Sequence, residues 1–147
     1  MSKRVLEFFM IDILISIDKI KRYSAGFEDG ENFYYDEKSF DATMRELQII
    51  GEATKHLING NILSSNYRMI VNFRNILVHE YFGIDSEEIW NVIKVNLPKF
   101  EIVILDIIKN IENREFVLNI IKHSKNDFQN RKQTTNFLIK LEQSLYF

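Results

Sequence analysis

Apolar residues recur along this chain at the spacing of helix faces. Leu6, Met10, Ile13, Ile17 and Ile20 form one stripe, with Glu7, Asp18 and Lys21 off it, which predicts a first helix over residues 3–23. The stretch SAGFEDGENFYY (24–35) holds two glycines and several acidic residues and reads as a loop. Asp36 stands where a cap is needed for a second helix running through MRELQIIGEATKHL to about residue 58. Gly51 lies inside that helix. A glycine there costs about 1 kcal/mol against alanine, so close approach of another backbone is the reason to expect it. INGNILSS reads as a loop, and Ser65 is the candidate cap of a third helix over 66–81, with Gly83 in the usual place just past a helix end.

Asp85 followed by Glu88 resembles a capping box for a fourth helix carrying Trp90, Val92, Ile93, Val95 and Leu97. Pro98 lacks a backbone donor and should kink or split that helix, after which the pattern resumes from Phe100 to Ile111. Residues 113–147 hold apolar clusters at Phe116/Val117/Ile120/Ile121 and Phe137/Leu138/Leu141/Leu145 around the polar stretch HSKNDFQNRKQTTN, and read as one or two further helices. No repeat or second domain stands out. The expectation is a single all-α domain, an up-and-down bundle of four to six helices with a C-terminal helical extension from about residue 113.

Composition narrows the function classes. The 147 residues are 46% hydrophobic, enough for a core and too many for a disordered chain. One proline and five glycines favour a few long helices over many short strands. The absence of cysteine removes disulfides and thiolate metal sites and fits a cytoplasmic location. Glu7, Asp12 and Asp18 interrupt the first apolar run and Asp106 the run near 102–108, so neither a signal core nor a membrane span is expected. A net charge of −2 means that nucleic acid, if bound, must be met by a local patch.

One short run stands apart. FRNILVHEYFGID (73–85) places Arg74, Asn75, His79 and Tyr81 into an apolar helix end. At about 100° per residue, Arg74 and Tyr81 share a stripe, while His79 lies about 140° from Arg74 and about 40° from Asn75. Asn75 is therefore placed to touch and orient the His79 ring. Arg74 and His79 flank a broad face that one helix would not close onto a single small group. Two copies related by a two-fold axis would, each cleft receiving groups from both chains. A guanidinium grips phosphate oxygens in a fork, and imidazole exchanges a proton near neutrality, so the pair suits phosphodiester cleavage without a metal. Glu80 and Asp85 make no convincing metal pair, and His56 and His123 lie on other segments. Spacing alone leaves plainer readings open: a histidine at a helix C-terminus answering the dipole, a structural arginine ion pair, and a tyrosine at the core edge.

The run Arg74-Asn75-Ile76-Leu77-Val78-His79-Glu80-Tyr81 fits the Arg-x4-His-x-Tyr motif of the HepT toxins of the HEPN superfamily, and Asn75 matches the polar residue that usually follows the arginine. LQIIGEATKHL (47–57) resembles that family's second-helix signature and HEYFGIDSEEIWNVIKVNLP (79–98) the segment after the motif, so the similarity spans about residues 6–110 in order. The resemblance implies an all-α HEPN-like bundle, a two-fold homodimer with the motif lining the cleft, and a metal-independent endoribonuclease acting as a toxin. It implies a partner, the MNT minimal nucleotidyltransferase antitoxin, and an RNA substrate, with no cofactor. Carried over by position, Arg74 would stabilise the phosphate in its transition state and His79 would be the general acid or base. Asn75 would orient it, and Tyr81 would accept AMP from the antitoxin.

Some features depart from the family pattern. Phe73 stands where methionine is common, and the loop before the third helix is short. The tail carries Arg114, Lys122, Lys125, Arg131, Lys132 and Lys140 against Glu115, Asp127 and Glu142. It reads as a solvated helix face before it reads as an RNA-contacting arm. Arg45, just before Gly51-Glu52, reads as exposed or paired within its helix rather than as reaching the cleft. Two other functions stay open: a non-catalytic nucleotide- or RNA-binding module, and a structural dimer acting with a nucleotidyltransferase partner.

Overall fold

The computed structural model describes residues 5–79, 83 and 85–146. These residues are helical throughout their regular structure: α1 Leu6–Ser24, α2 Gly30–Tyr35, α3 Glu37–Asn59, α4 Arg68–His79, α5 Ser86–Asn91, α6 Leu97–Lys109, α7 Arg114–Asp127 and α8 Lys132–Ser144. With α5 and α6 counted as one interrupted rod, the described residues hold seven helices, more than the four to six expected. The excess comes from α2; the tail forms two helices, within the one or two expected.

α1 is the axis of the bundle. Its expected stripe is buried from Met10 to Ile20, with Leu6 partly so, but Ile11, Leu14 and Ile15 between those positions are buried as well. A helix apolar on nearly all sides is one surrounded by protein, and α1 packs on α3, α6, α7 and α8. A buried polar contact fixes its register against α3: Ser16 Oγ donates to Glu46 Oε1 at 3.0 Å, with Lys19 Nζ 4.0 Å from the same oxygen. α3 begins where expected, the Asp36 side chain accepting from the Ser39 amide at 3.0 Å.

The segment read as a loop contains α2. Asp29 caps it, accepting from Asn32 N at 2.8 Å. The reason it folds is tertiary. Phe33 is fully buried, with ring centroids 5.3 Å from Phe27, 5.7 Å from Phe40 and 5.4 Å from Trp90. α2 also lies against α5, where the Glu31 amide donates to Glu87 Oε1 at 3.0 Å. A Cβ on Gly30 would come 2.5 Å from the Ser86 carbonyl oxygen, so the residue that looked like a turn signal permits this approach.

Two other caps differ in detail. Ser64, not Ser65, caps the 3-10 turn Ser65–Tyr67 that leads into α4. Asp85 bonds the Glu87 amide at 2.9 Å, while Glu87 rather than Glu88 is the acid engaged elsewhere, at α2. Pro98 interrupts its helix as expected. Without an N–H to reach Lys94, the backbone widens into a π turn over Val92–Asn96, closed by Leu97 N on Val92 O, and α6 restarts with Pro98 in its first turn.

α7 and α8 form a hairpin docked on α1, burying Val117, Ile120, Ile121, Leu138 and Leu141. Part of the tail's charge is tied down there: Arg114 Nη1 donates to the Leu145 carbonyl, and Lys125 Nζ lies 3.0 Å from Glu142 Oε1. The buried side chains of all these helices form one contiguous core.

Candidate active site on α4

α4 lies against α3, to which it is joined by residues 60–67, and the closest approach is at Arg74. A Cβ on Gly51 would sit 2.1 Å from Arg74 Cβ and 2.6 Å from its Cγ. Gly51 is thus a packing glycine, as its place within a helix implied. The arginine stem is pressed onto bare α3 backbone, which restricts its rotamers and aims the guanidinium along the α3 surface.

There the guanidinium meets two oxygens. Nη1 donates to Asn75 Oδ1 at 3.1 Å, and Nη2 lies 3.7 Å from Glu52 Oε2. Nε is buried with no hydrogen-bond partner in the protein. The side chain is about one-third exposed, so the cation is held by the fold while one edge stays open to an incoming anion.

Glu52 extends the cluster. Its Oε1 is 3.6 Å from His56 Nε2, one helical turn on, and the His56 ring stacks on Phe9 at 4.3 Å and 9°. Arg74, Glu52, His56 and Phe9 therefore form a chain across α4, α3 and α1. Sequence reasoning placed His56 on another segment and passed over Glu52. The signal available was their i,i+4 spacing beside the packing glycine.

The motif residues stand as follows. Arg74, Asn75 and His79 are all on α4, and His79 is its exposed last residue. Helical geometry is continuous from Arg68 to His79, so Arg74 and His79 keep the wide angular separation expected of them. Asn75 engages Arg74 through its amide oxygen, a contact the spacing did not anticipate. Tyr81 lies outside the described residues. Among the described residues, no group of three or more histidine, aspartate or glutamate side chains is placed to hold a metal ion.

α4 also presents apolar side chains outward: Met69, Ile76 and Val78 are exposed. Beside them a depression of about 210 Å³ is lined by Ile50, Phe73, Leu97 and Phe100, among others. No described helix is long and apolar enough to cross a membrane.

The family profile described as ribonuclease HepT-like matches residues 13–107, from α1 to the last turn of α6. The chain belongs to the HepT-like ribonuclease family. Similar proteins of known name agree. One from Methanocaldococcus jannaschii, named "Putative RNase MJ1380", is 34% identical over 104 residues, 69% of this chain and 94% of that protein. One from Thermococcus cleftensis, named "Probable ribonuclease HepT", is 33% identical over 104 residues, 67% of this chain and 92% of its own length. A third, "Putative RNase TTE0752" of Caldanaerobacter subterraneus, is 32% identical over 107 residues, 71% of this chain and 91% of that protein. No solved structure matches. The HepT-like match includes the Gly51–Arg74 contact and His79 and ends before α7.

Proposed function

We propose that this HepT-like protein is the toxin of a toxin–antitoxin pair, a homodimeric endoribonuclease that needs no metal. What carries the reading is the pressing of Arg74 onto Gly51 within a HepT-like helix that ends in an exposed His79. A fixed cation and a free proton carrier on one helix, too far apart in angle for a single small group, are completed by a second copy. The exposed Met69, Ile76 and Val78 of α4 are the apolar surface such a copy would cover.

In that cleft Arg74 holds the scissile phosphate and neutralises the charge that builds on its oxygens. His79 takes the proton from the ribose 2′-hydroxyl as that oxygen attacks phosphorus. The 2′-oxygen–phosphorus bond forms and the bond to the 5′-oxygen breaks. The leaving oxygen takes a proton from the imidazolium of the second copy's His79, and a 2′,3′-cyclic phosphate remains. Asn75 serves as an orienting residue, held beside Arg74 and one turn before His79.

Control by a nucleotidyltransferase antitoxin of the MNT kind completes the proposal. The Tyr81 hydroxyl attacks the α-phosphate of ATP, pyrophosphate leaves, and the phenol proton passes to solvent. The AMP so attached puts a phosphodiester beside Arg74 and an adenosine in the cleft, which blocks RNA.

The test is expression with and without a nucleotidyltransferase of the MNT kind, together with RNA cleavage in excess EDTA. The wild type should arrest growth and cut RNA, and Arg74→Ala and His79→Ala should each lower cleavage by about 10²- to 10⁴-fold. Co-expression should add the mass of AMP at Tyr81. A wild type that leaves RNA intact would overturn the enzymatic reading in favour of a binding module.

A further inference from the structure

Away from α4, the turn between α7 and α8 meets α1 and α3 at a continuous cleft. One part, about 370 Å³, is lined by Lys19, Arg22 and Tyr23 of α1 with Arg131 of the turn and Lys132 at the start of α8. The adjoining part, about 280 Å³, shares Lys19, Tyr23 and Arg131 and adds Arg45 of α3. Five cations from three separate segments converge here in a chain whose net charge is −2. Among the described residues lining the cleft, the one carboxylate is Glu46, which is buried and bonded to Ser16. Asp18 and Asp41 stand nearby on α1 and α3.

Arg22 is held rather than merely exposed, while Arg45, Arg131 and Lys132 are exposed. Arg22 donates through Nε to Asp18 at 3.1 Å and through Nη1 to Gln133 Oε1 at 2.7 Å, so α8 helps fix it. Its Nη2 is buried and has no partner.

The groove runs toward the candidate site. Arg45 is six residues before Gly51 on α3, and His79 is five residues after Arg74 on α4. The two helices form an antiparallel hairpin in contact at Gly51 and Arg74, so Arg45 and His79 lie toward the same end, displaced along the axes by about 9 Å and about 7.5 Å.

We infer that the α7–α8 extension builds a phosphate-tracking groove over Lys19, Arg22, Arg45, Arg131 and Lys132 that holds the RNA strand beyond the cleaved linkage. The inference rests on the ribonuclease reading for its choice of ligand. It assigns the extension a task that the matched family region does not contain. Tyr23 supplies a half-buried ring at the groove on which a base can stack.

The test uses the full-length chain carrying His79→Ala, so that RNA is not consumed, and fluorescence anisotropy with a labelled mixed-sequence single-stranded RNA across a salt titration. Arg45→Gln/Arg131→Gln/Lys132→Gln should weaken binding roughly tenfold and lower the slope of log affinity against log salt by about 2. Arg131→Gln/Lys132→Gln, confined to exposed turn residues, should show a smaller loss in the same direction with full helicity by circular dichroism. Arg45→Lys/Arg131→Lys should restore the slope. Affinity and slope unchanged in both glutamine variants would overturn the groove. Equal competition by poly-glutamate at matched charge would also overturn it, assigning the cleft to acidic peptide. The two readings fail separately. RNA bound through the groove but left intact by the His79-containing wild type sinks the ribonuclease and not the groove. RNA cut normally by the glutamine variants, with unchanged affinity, sinks the groove and not the ribonuclease.

Discussion

Gly51 and Arg74 touch where any other residue at position 51 would collide: a Cβ there falls 2.1 Å from Arg74 Cβ. The contact decides the sign of a substitution that helix propensity alone would get wrong. Gly51→Ala gains about 1 kcal/mol of propensity but overpacks the α3–α4 interface, at about 1–3 kcal/mol. Because the colliding atoms are the stem of Arg74 and not a flexible tip, the cost wins. The expected outcome is a net loss of up to about 2 kcal/mol in urea unfolding, with RNA cleavage falling further than stability does. A Gly51→Ala protein more stable than wild type would show that α4 is free to move aside.

If Arg74 holds RNA as proposed, Glu52 competes for it. It lies 3.7 Å from the guanidinium and is about half exposed, so the pair contributes little to stability. Glu52→Gln should leave the unfolding midpoint nearly unchanged and tighten RNA binding about twofold to fivefold at low salt, the scale of one surface ion pair. The comparison is best made in the His79→Ala background by anisotropy. Weaker binding would mean that Glu52 holds Arg74 in place for the phosphate instead.

Leu138 is fully buried on α8. Leu138→Ala should cost about 2–5 kcal/mol. Since α8 packs on α1, the axis of the core, the loss should lower the midpoint of one cooperative transition. Two separate transitions in calorimetry would instead make the α7–α8 hairpin an independent unit.

Tyr35 provides a pH prediction. Its hydroxyl donates to Glu31 Oε1 at 2.6 Å, and that bond, with the Glu31 charge, raises the phenol above its ordinary value of 10.0. A group whose folded pKa is raised stabilises fully below the unfolded value and stops doing so as pH climbs through the folded one. The stabilisation is therefore intact at neutral pH and fades above about pH 10. Tyr35→Phe should leave the neutral melting temperature nearly unmoved and flatten its decline at alkaline pH. An identical alkaline decline in the variant would remove Tyr35 from the account.

The helices were legible wherever their reason was local. The stripe Leu6–Ile20, the Asp36 cap and the missing amide of Pro98 act within a few residues of themselves, and α1, α3 and the break before α6 follow from them. α2 was not legible. Glycines and acidic residues signal a turn locally, while the packing of Phe33 on Trp90 and of Gly30 on Ser86 depends on chain far away. The tail's charges were read along the helix as a solvated face, and Arg131 and Lys132 are exposed; that they stand near Lys19 is decided by the hairpin folding back on α1.

For the site, the linear pattern by itself singled out the candidates Arg74, Asn75 and His79, a cation, an amide and an imidazole placed on one helix. It also marked Gly51 as a point of close approach. Only the tertiary structure decided what Arg74 rests on and what shares its guanidinium, namely Gly51 and Glu52, with His56 and Phe9 behind them. The physical reason is range. Helical spacing acts through bonded neighbours and is written in sequence order, whereas an ion pair or a stacked ring is settled by which helices the core brings side by side.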